Sequence, residues 1–126
     1  MARVLVVDHE GRIRTMLADV LRASGYNVSV ARSGFEAIEI ASAIAPDLVM
    51  LGVQMPAMDG WATLELLRME RPSTRVLMMS GNDDAALAAA RGAEAFLWKP
   101  YHPADVLREV ANAMGETPGQ PSRRAA

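Results

Sequence analysis

The sequence predicts an α/β fold, a doubly wound parallel sheet with helices on both faces, and three observations predict it. Short unbroken apolar runs of the kind buried on both faces recur at residues 4–7, 48–51 and 76–79. Between them lie stretches whose apolar residues fall at helical spacing, so strand and helix alternate. The connections are short, and parallel strands need a crossover element of this kind between them. In such a sheet, ligands and chemistry sit just beyond the carboxyl ends of the strands.

The first strand runs from Val4 to Val7 and ends at Asp8-His9-Glu10-Gly11. Ile13, Met16, Leu17, Val20 and Leu21 then share one helical face, and Gly25 stands where a left-handed cap would stop the helix. Tyr26, Val28 and Val30 alternate with Asn27 and Ser29, the pattern of an edge strand with one wetter face. Ser33-Gly34 turns the chain, and a second helix is expected over residues 36–45, ended by Pro46. The third strand, residues 48–51, reaches its carboxyl edge at Gly52, and a loop with Pro56, Asp59 and Gly60 leads to a third helix carrying Trp61, Leu64 and Leu67. Asp59 is its expected cap.

The fourth strand closes at Ser80-Gly81-Asn82. The next helix, expected over residues 83–91, has acids at its start, arginine at its end and Gly92 beyond, but a core face of only Leu87 and alanines. It is expected to be the loosest of the helices. A fifth strand over residues 95–98 ends at Lys99-Pro100, and Pro103 suits the first turn of a last helix with Val106, Leu107, Val110, Ala111 and Met114 on one face. From Gly115 the composition turns to Gly, Pro, Ser, Gln and Arg. The reading is therefore one domain over residues 1–115 and a disordered tail over 116–126.

Composition narrows the function. The 126 residues include no cysteine, which excludes disulfides and thiolate zinc sites. No apolar run has membrane-spanning length, and the start is too short for a signal peptide, so a cytoplasmic protein is expected, without membrane contact. The net charge is −2 and no basic stripe is visible outside Arg123-Arg124, which argues against nucleic acid. Of the 13 basic residues Lys99 is the only lysine, a compact mobile ammonium in a chain that otherwise uses arginine.

Polar groups collect at three strand ends: Asp8-His9-Glu10, Ser80 and Lys99. Together with Val4-Leu5-Val6-Val7-Asp8, residues 46–51, Met55-Pro56-Ala57-Met58-Asp59-Gly60, Gly92-Ala93 and Lys99-Pro100-Tyr101, they make the chain resemble a CheY-like response-regulator receiver domain, over nearly its whole length to the end of the last helix. The resemblance implies the flavodoxin-like fold of five strand–helix units, with strand order 2-1-3-4-5. It implies a module of two-component, or phosphorelay, signal transduction. Family members hold Mg²⁺ with two acids after the first strand. They take a phosphoryl group from a histidine kinase onto an aspartate ending the third strand, and bind it with a hydroxyl and a lysine after the fourth and fifth. Asp8 matches the first acid, Ser80 the hydroxyl and Lys99 the lysine, while Phe96 falls at the switch-aromatic position.

Two positions depart from the family. His9 stands where the second acid is usual, and Gly52 where the phosphoacceptor is. Glycine has no nucleophile, and Mg²⁺ wants hard oxygen ligands. With Asp8 the only residual acid, no metal is expected, or Mg²⁺ binding that is weak or absent, and Asp8 can pair with Lys99 instead. The expectation is a pseudo-receiver that is not an enzyme, uses no cofactor and acts by protein–protein contact. Partners would be a histidine kinase or a downstream effector, with Phe96 and Tyr101 on the contact surface and a homodimer through the last two helices and last strand as a further expectation. Other readings stand beside it. His9 is a plain surface histidine or a ligand for a softer metal, and Ser80 binds an anion or caps the following helix. The chain is a phosphotransfer-competent receiver using Asp8, Glu10 or Ser80, or an ordinary receiver inactivated at Gly52. A flavin mononucleotide site is disfavoured, because the acids after the first strand would repel its phosphate.

Overall fold

The computed structural model describes residues 2–99 and 101–116. Five strands alternate with five helices: β1 (Arg3–Val7), α1 (Gly11–Ala23), β2 (Asn27–Ala31), α2 (Gly34–Ile44), β3 (Leu48–Gly52), α3 (Gly60–Glu70), β4 (Arg75–Ser80), α4 (Ala85–Ala90), β5 (Ala95–Trp98) and α5 (Pro103–Ala113). The strands form one parallel sheet in the order β2-β1-β3-β4-β5. This is the flavodoxin-like order that the resemblance implied.

Strand parity divides the core into two layers. Val4, Val6, Leu48, Met50, Leu77 and Met79 face α1 and α5, packing on Leu17, Leu21, Val106 and Val110. Leu5, Val7, Val49, Leu51, Val76 and Met78 face the other way, onto Ala37, Ala41, Leu64, Leu67 and Ala88. A strand buried on both faces cannot alternate with polar residues, which is why the three central strands read as continuous apolar runs. β3 lies at the centre of the sheet and is buried along its whole length. Its carboxyl end is thereby enclosed by β1, β4 and the loops above them.

Several local details differ from the sequence reading. Val30, expected on the apolar side of β2, is 38% exposed, because it lies toward the end of the edge strand where only Val28 is covered on that face. α2 starts two residues early, since Ser33 accepts the Glu36 N–H at 3.1 Å and so caps the helix rather than merely turning the chain. α2 ends at Ala45 with φ 48°, in the left-handed region, because the following Pro46 disfavours a right-handed residue before it. α4 spans six residues rather than nine, and Leu87, expected in its core face, is 40% exposed while Ala88 is buried. Gly92, at φ +86°, closes α4, and the Ala93 N–H donates to the Ala88 carbonyl at 3.0 Å. Of the tail expected over residues 116–126, Glu116 is described, its N–H donating to the Ala111 carbonyl at 2.7 Å, and the rest lies outside the described residues. No helix among the described residues is long and apolar enough to cross a membrane.

Candidate functional site

Asp8 follows β1 directly, and its backbone N–H still pairs with the Ala31 carbonyl at 3.3 Å, carrying the ladder one residue past the strand. That anchoring leaves the Asp8 side chain 1% exposed. Its Oδ1 accepts the Glu10 N–H at 2.9 Å, a local Asx turn that sets the path into α1. Arg14, one turn into α1, donates to the Asp8 carbonyl at 2.7 Å and locks the same turn from outside. His9 Nδ1 lies 3.7 Å from Asp8 Oδ1.

Lys99 reaches the same place from β5. Its N–H donates to the Ser80 carbonyl at 2.9 Å, extending the β4–β5 ladder past Trp98. Its ammonium stands 3.3 Å from Asp8 Oδ2 and 3.4 Å from Glu10 Oε1. The first contact is an ion pair by distance only: Asp8 Oδ2 has no aligned hydrogen-bond donor among the described residues. With Asp8 and Glu10 ionised and Lys99 protonated, the three groups keep one net negative charge. The pairing of Asp8 with Lys99 agrees with the sequence reading; Glu10, the second carboxylate on the ammonium, was missed there. Its signal was its place two residues after Asp8, beyond an Asx turn that folds it back toward the pocket.

Gly52 ends β3 beside Asp8. A side chain there would start 3.3 Å from Asp8 Oδ2 and 3.4 Å from the Val7 carbonyl, so the position points into the pocket and takes a Cβ with a shift of a few tenths of an ångström. Gly60 is different: its Cβ would fall 2.2 Å from the Gly52 carbonyl oxygen and 2.8 Å from Val53 Cα, so only glycine fits. The Gly60 N–H donates to the Val53 carbonyl at 2.8 Å, and Asp59 caps α3 by accepting the Ala62 N–H at 2.9 Å, as the sequence predicts. The start of α3 is thus pressed against the end of β3.

Ser80 is buried, and both functions of its hydroxyl are in use. It accepts the Asn82 N–H at 3.0 Å and donates to Asp84 Oδ2 at 2.8 Å. Asn82 precedes α4, so Ser80 staples the turn instead of capping the helix, which corrects one of the two sequence readings. Asp84, the N-cap residue, makes no side-chain cap bond of its own. This partner of Ser80 was also missed, because a bond across a non-helical turn leaves no periodic signal.

The aromatic residues divide otherwise than expected. Tyr101, read as a contact residue, is half-buried against the α1–α5 side of the core, with its hydroxyl buried and without a hydrogen-bond partner among the described residues. Burial pushes its phenol well above the usual tyrosine range, and the charges of Asp8 and Glu10 push the same way. Phe96 is half-buried on the opposite face of the sheet. Its ring meets Trp98 edge-on at 5.4 Å, and Trp98, 50% exposed, is the one of these three that reaches solvent. Alternation along β5 puts Phe96 and Trp98 on one side, while Tyr101 packs on the α1–α5 side.

The Mg²⁺ that the resemblance implies does not suit this donor set. Gly52 offers no side-chain oxygen, His9 offers nitrogen, and the Lys99 ammonium already lies against both carboxylates. Asp8 is nevertheless not the lone donor expected from the sequence, since ligand atoms of Asp8, His9 and Glu10 all lie within 4.8 Å of one another.

Comparison with known proteins agrees with this geometry. Residues 4–111 match the response regulator receiver domain family. The chain is 36% identical over 111 residues to the alkaline phosphatase synthesis transcriptional regulatory protein PhoP of Bacillus subtilis, covering 86% of this chain and 46% of that protein. It is 32% identical over 117 residues to the chemotaxis protein CheY of Listeria monocytogenes, covering 90% of this chain and 98% of that one. Among solved structures, Vibrio cholerae CheY4 superposes with a TM-score of 0.84 at 31% identity, covering 90% of this chain and 98% of that one. The chain spans about half the length of the first curated relatives it matches, 46% of PhoP and 54% of the DNA-binding response regulator MtrA. With its sheet order, its strand-end residues and these matches in agreement, the chain belongs to the response regulator receiver domain family.

Proposed function

We propose that this receiver signals by protein–protein contact and is not phosphorylated at the end of β3. Gly52 carries the reading: it stands beside Asp8 at the carboxyl edge of the central strand, and it has no atom that can attack phosphorus. The neighbouring groups are poor substitutes. Asp8 and Glu10 are held against Lys99, and the Ser80 hydroxyl donates its proton to Asp84. The chain then has no phosphotransfer activity of its own, and a partner's binding energy takes the place of the phosphoryl group in selecting its conformation.

The contact surface is the face of α4, β5 and α5 around Trp98 and Phe96, and the partner is a histidine kinase, a downstream effector or a second copy of the chain. α4 suits a binding-controlled element: it is six residues long and, of its side chains, buries only Ala88. Incubation with acetyl phosphate and Mg²⁺ followed by intact mass measurement tests the reading. The expected spectrum is that of the unmodified protein. A stoichiometric phosphoryl adduct would overturn the proposal, and fragmentation placing it on Asp8, Glu10 or Ser80 would identify the substitute acceptor.

A further inference from the structure

We infer that the groove between α3 and the end of α4 binds a small planar aromatic monocarboxylate, its acid group held by Arg91 and its ring by Trp61. The inference goes beyond the proposed function and does not depend on it, since the groove shares no residue with the pocket of Asp8, Ser80 and Lys99.

Three observations carry it. Trp61, Leu64, Glu65, Arg68 and Arg91 line a groove of about 400 Å³, within the size range of small-molecule clefts and matched to a two-ring molecule. Second, Arg91 is set for an anion. Its guanidinium carbon lies 5.3 Å from the centre of the Trp61 ring. Stacking of this kind occupies only the guanidinium face. The N–H donors lie in its plane, and Arg91 makes no side-chain hydrogen bond or ion pair among the described residues. A carboxylate meets such an edge with two parallel bonds, while the indole fixes its orientation. Third, the neighbouring charges select a single negative charge. Arg68 is already satisfied, donating to both carboxylate oxygens of Glu94 at 2.6 and 2.8 Å and to the Gly92 carbonyl at 2.6 Å. Glu65 is exposed and has no cationic partner among the described residues. The groove therefore offers one open guanidinium beside one open carboxylate, which favours a monoanion over a phosphate dianion.

The groove is built before a ligand arrives. The bond from Arg68 to the Gly92 carbonyl pins the turn that follows Arg91, and so carries Arg91 alongside α3. Leu64 is buried and Trp61 half-buried on the core layer beneath, which fixes α3 in turn. An aromatic ring packs on Trp61, Leu64 and the methylenes of Arg68, with little side-chain order left to impose.

Titration of the full chain with naphthoate, followed by the indole N–H resonances of its two tryptophans, tests the inference. Saturable binding of one molecule per chain is expected, shifting the Trp61 indole and leaving that of Trp98 in place. Naphthamide, the neutral counterpart, is expected to bind at least about tenfold more weakly, because it cannot form charge-assisted bonds to Arg91. Naphthyl phosphate, which brings a second negative charge toward Glu65, is also expected to bind more weakly than naphthoate. Arg91→Gln, a change at an exposed position that keeps the fold, is expected to weaken naphthoate by about tenfold, and Arg91→Lys by less. A Trp61 indole that does not respond, equal shifts at both tryptophans, or an Arg91→Gln variant that binds like the parent would overturn the site. Naphthamide or naphthyl phosphate binding as tightly as naphthoate would overturn the ligand class.

Discussion

A carboxylate placed at position 52 would begin 3.3 Å from Asp8 Oδ2, inside a pocket whose only nearby ammonium is already shared by two acids. The backbone there is not in the left-handed region, so an L-residue fits without strain. A second carboxylate in the pocket of Asp8 disfavours ionisation of both groups. Gly52→Asp is therefore expected to destabilise the protein by about 1–2 kcal/mol in chelator, read from urea unfolding. It is also expected to be phosphorylated weakly at most by acetyl phosphate, because His9 still interrupts the oxygen shell for Mg²⁺. Gly52→Asp combined with His9→Asp should be phosphorylated far more fully. Full phosphorylation of the single variant would show that His9 is no obstacle and that the chain is an ordinary receiver lacking only its acceptor. Both departures were plain in the sequence because they interrupt a motif. The roles of Glu10 and Asp84 were not, since each depends on where a turn directs a side chain.

Among the elements, the junction of β3 with α3 ties the pocket to the frame. Asp59 provides a local cap, whose loss typically costs about 1 kcal/mol. Gly60 provides close approach, since its Cβ would overlap the Gly52 carbonyl oxygen at 2.2 Å and approach Val53 Cα at 2.8 Å. Both obstacles are backbone atoms, which cannot rotate away. Gly60→Ala is accordingly expected to cost about 3 kcal/mol, more than Asp59→Ala, in parallel urea melts. Equal costs would mean that the loop shifts freely and does not hold the end of β3. The Asp-Gly pair was legible as a helix start from side-chain chemistry alone. The reason for the glycine lay eight residues back in the chain, in a contact that only the folded loop creates. α4 shows the opposite limit: its existence was legible, but a short alanine-rich helix has too weak a periodicity to say which residue faces the sheet, and of the expected face Ala88 is buried while Leu87 lies outward.

For the whole molecule, the two-layer core controls the alkaline response. Tyr101 is held inside the α1–α5 layer with its phenol pushed up by burial and then by Asp8 and Glu10, and Tyr26 is raised by burial and by Glu116. Both phenols prefer the neutral form in the folded state, whereas the unfolded chain ionises them near pH 10. Above that pH the unfolded state binds fewer protons than the folded one, so the free energy of unfolding falls as pH rises. Below it this contribution is fully present. Denaturant unfolding between pH 8 and about 11 is expected to show the decline, and Tyr101→Phe to make it shallower. Because the Tyr101 hydroxyl has no partner among the described residues, the same variant should be no less stable at neutral pH. An unchanged alkaline slope would show that Tyr101 does not couple to folding.

The sequence by itself determined the fold class, the five strand–helix units, the layered core and the blank position at the end of β3. Those features are written in local periodicity, in turn chemistry and in the identity of single residues, which need no partner to be read. Tertiary structure alone decided that Glu10 shares the Lys99 ammonium, that Ser80 gives its proton to Asp84, that Tyr101 turns inward while Trp98 faces solvent, and that Asp8 Oδ2 looks onto the space Gly52 leaves. Each of these depends on side-chain direction between strand ends that are far apart in the chain, and the sheet order and the turns beyond it set those directions.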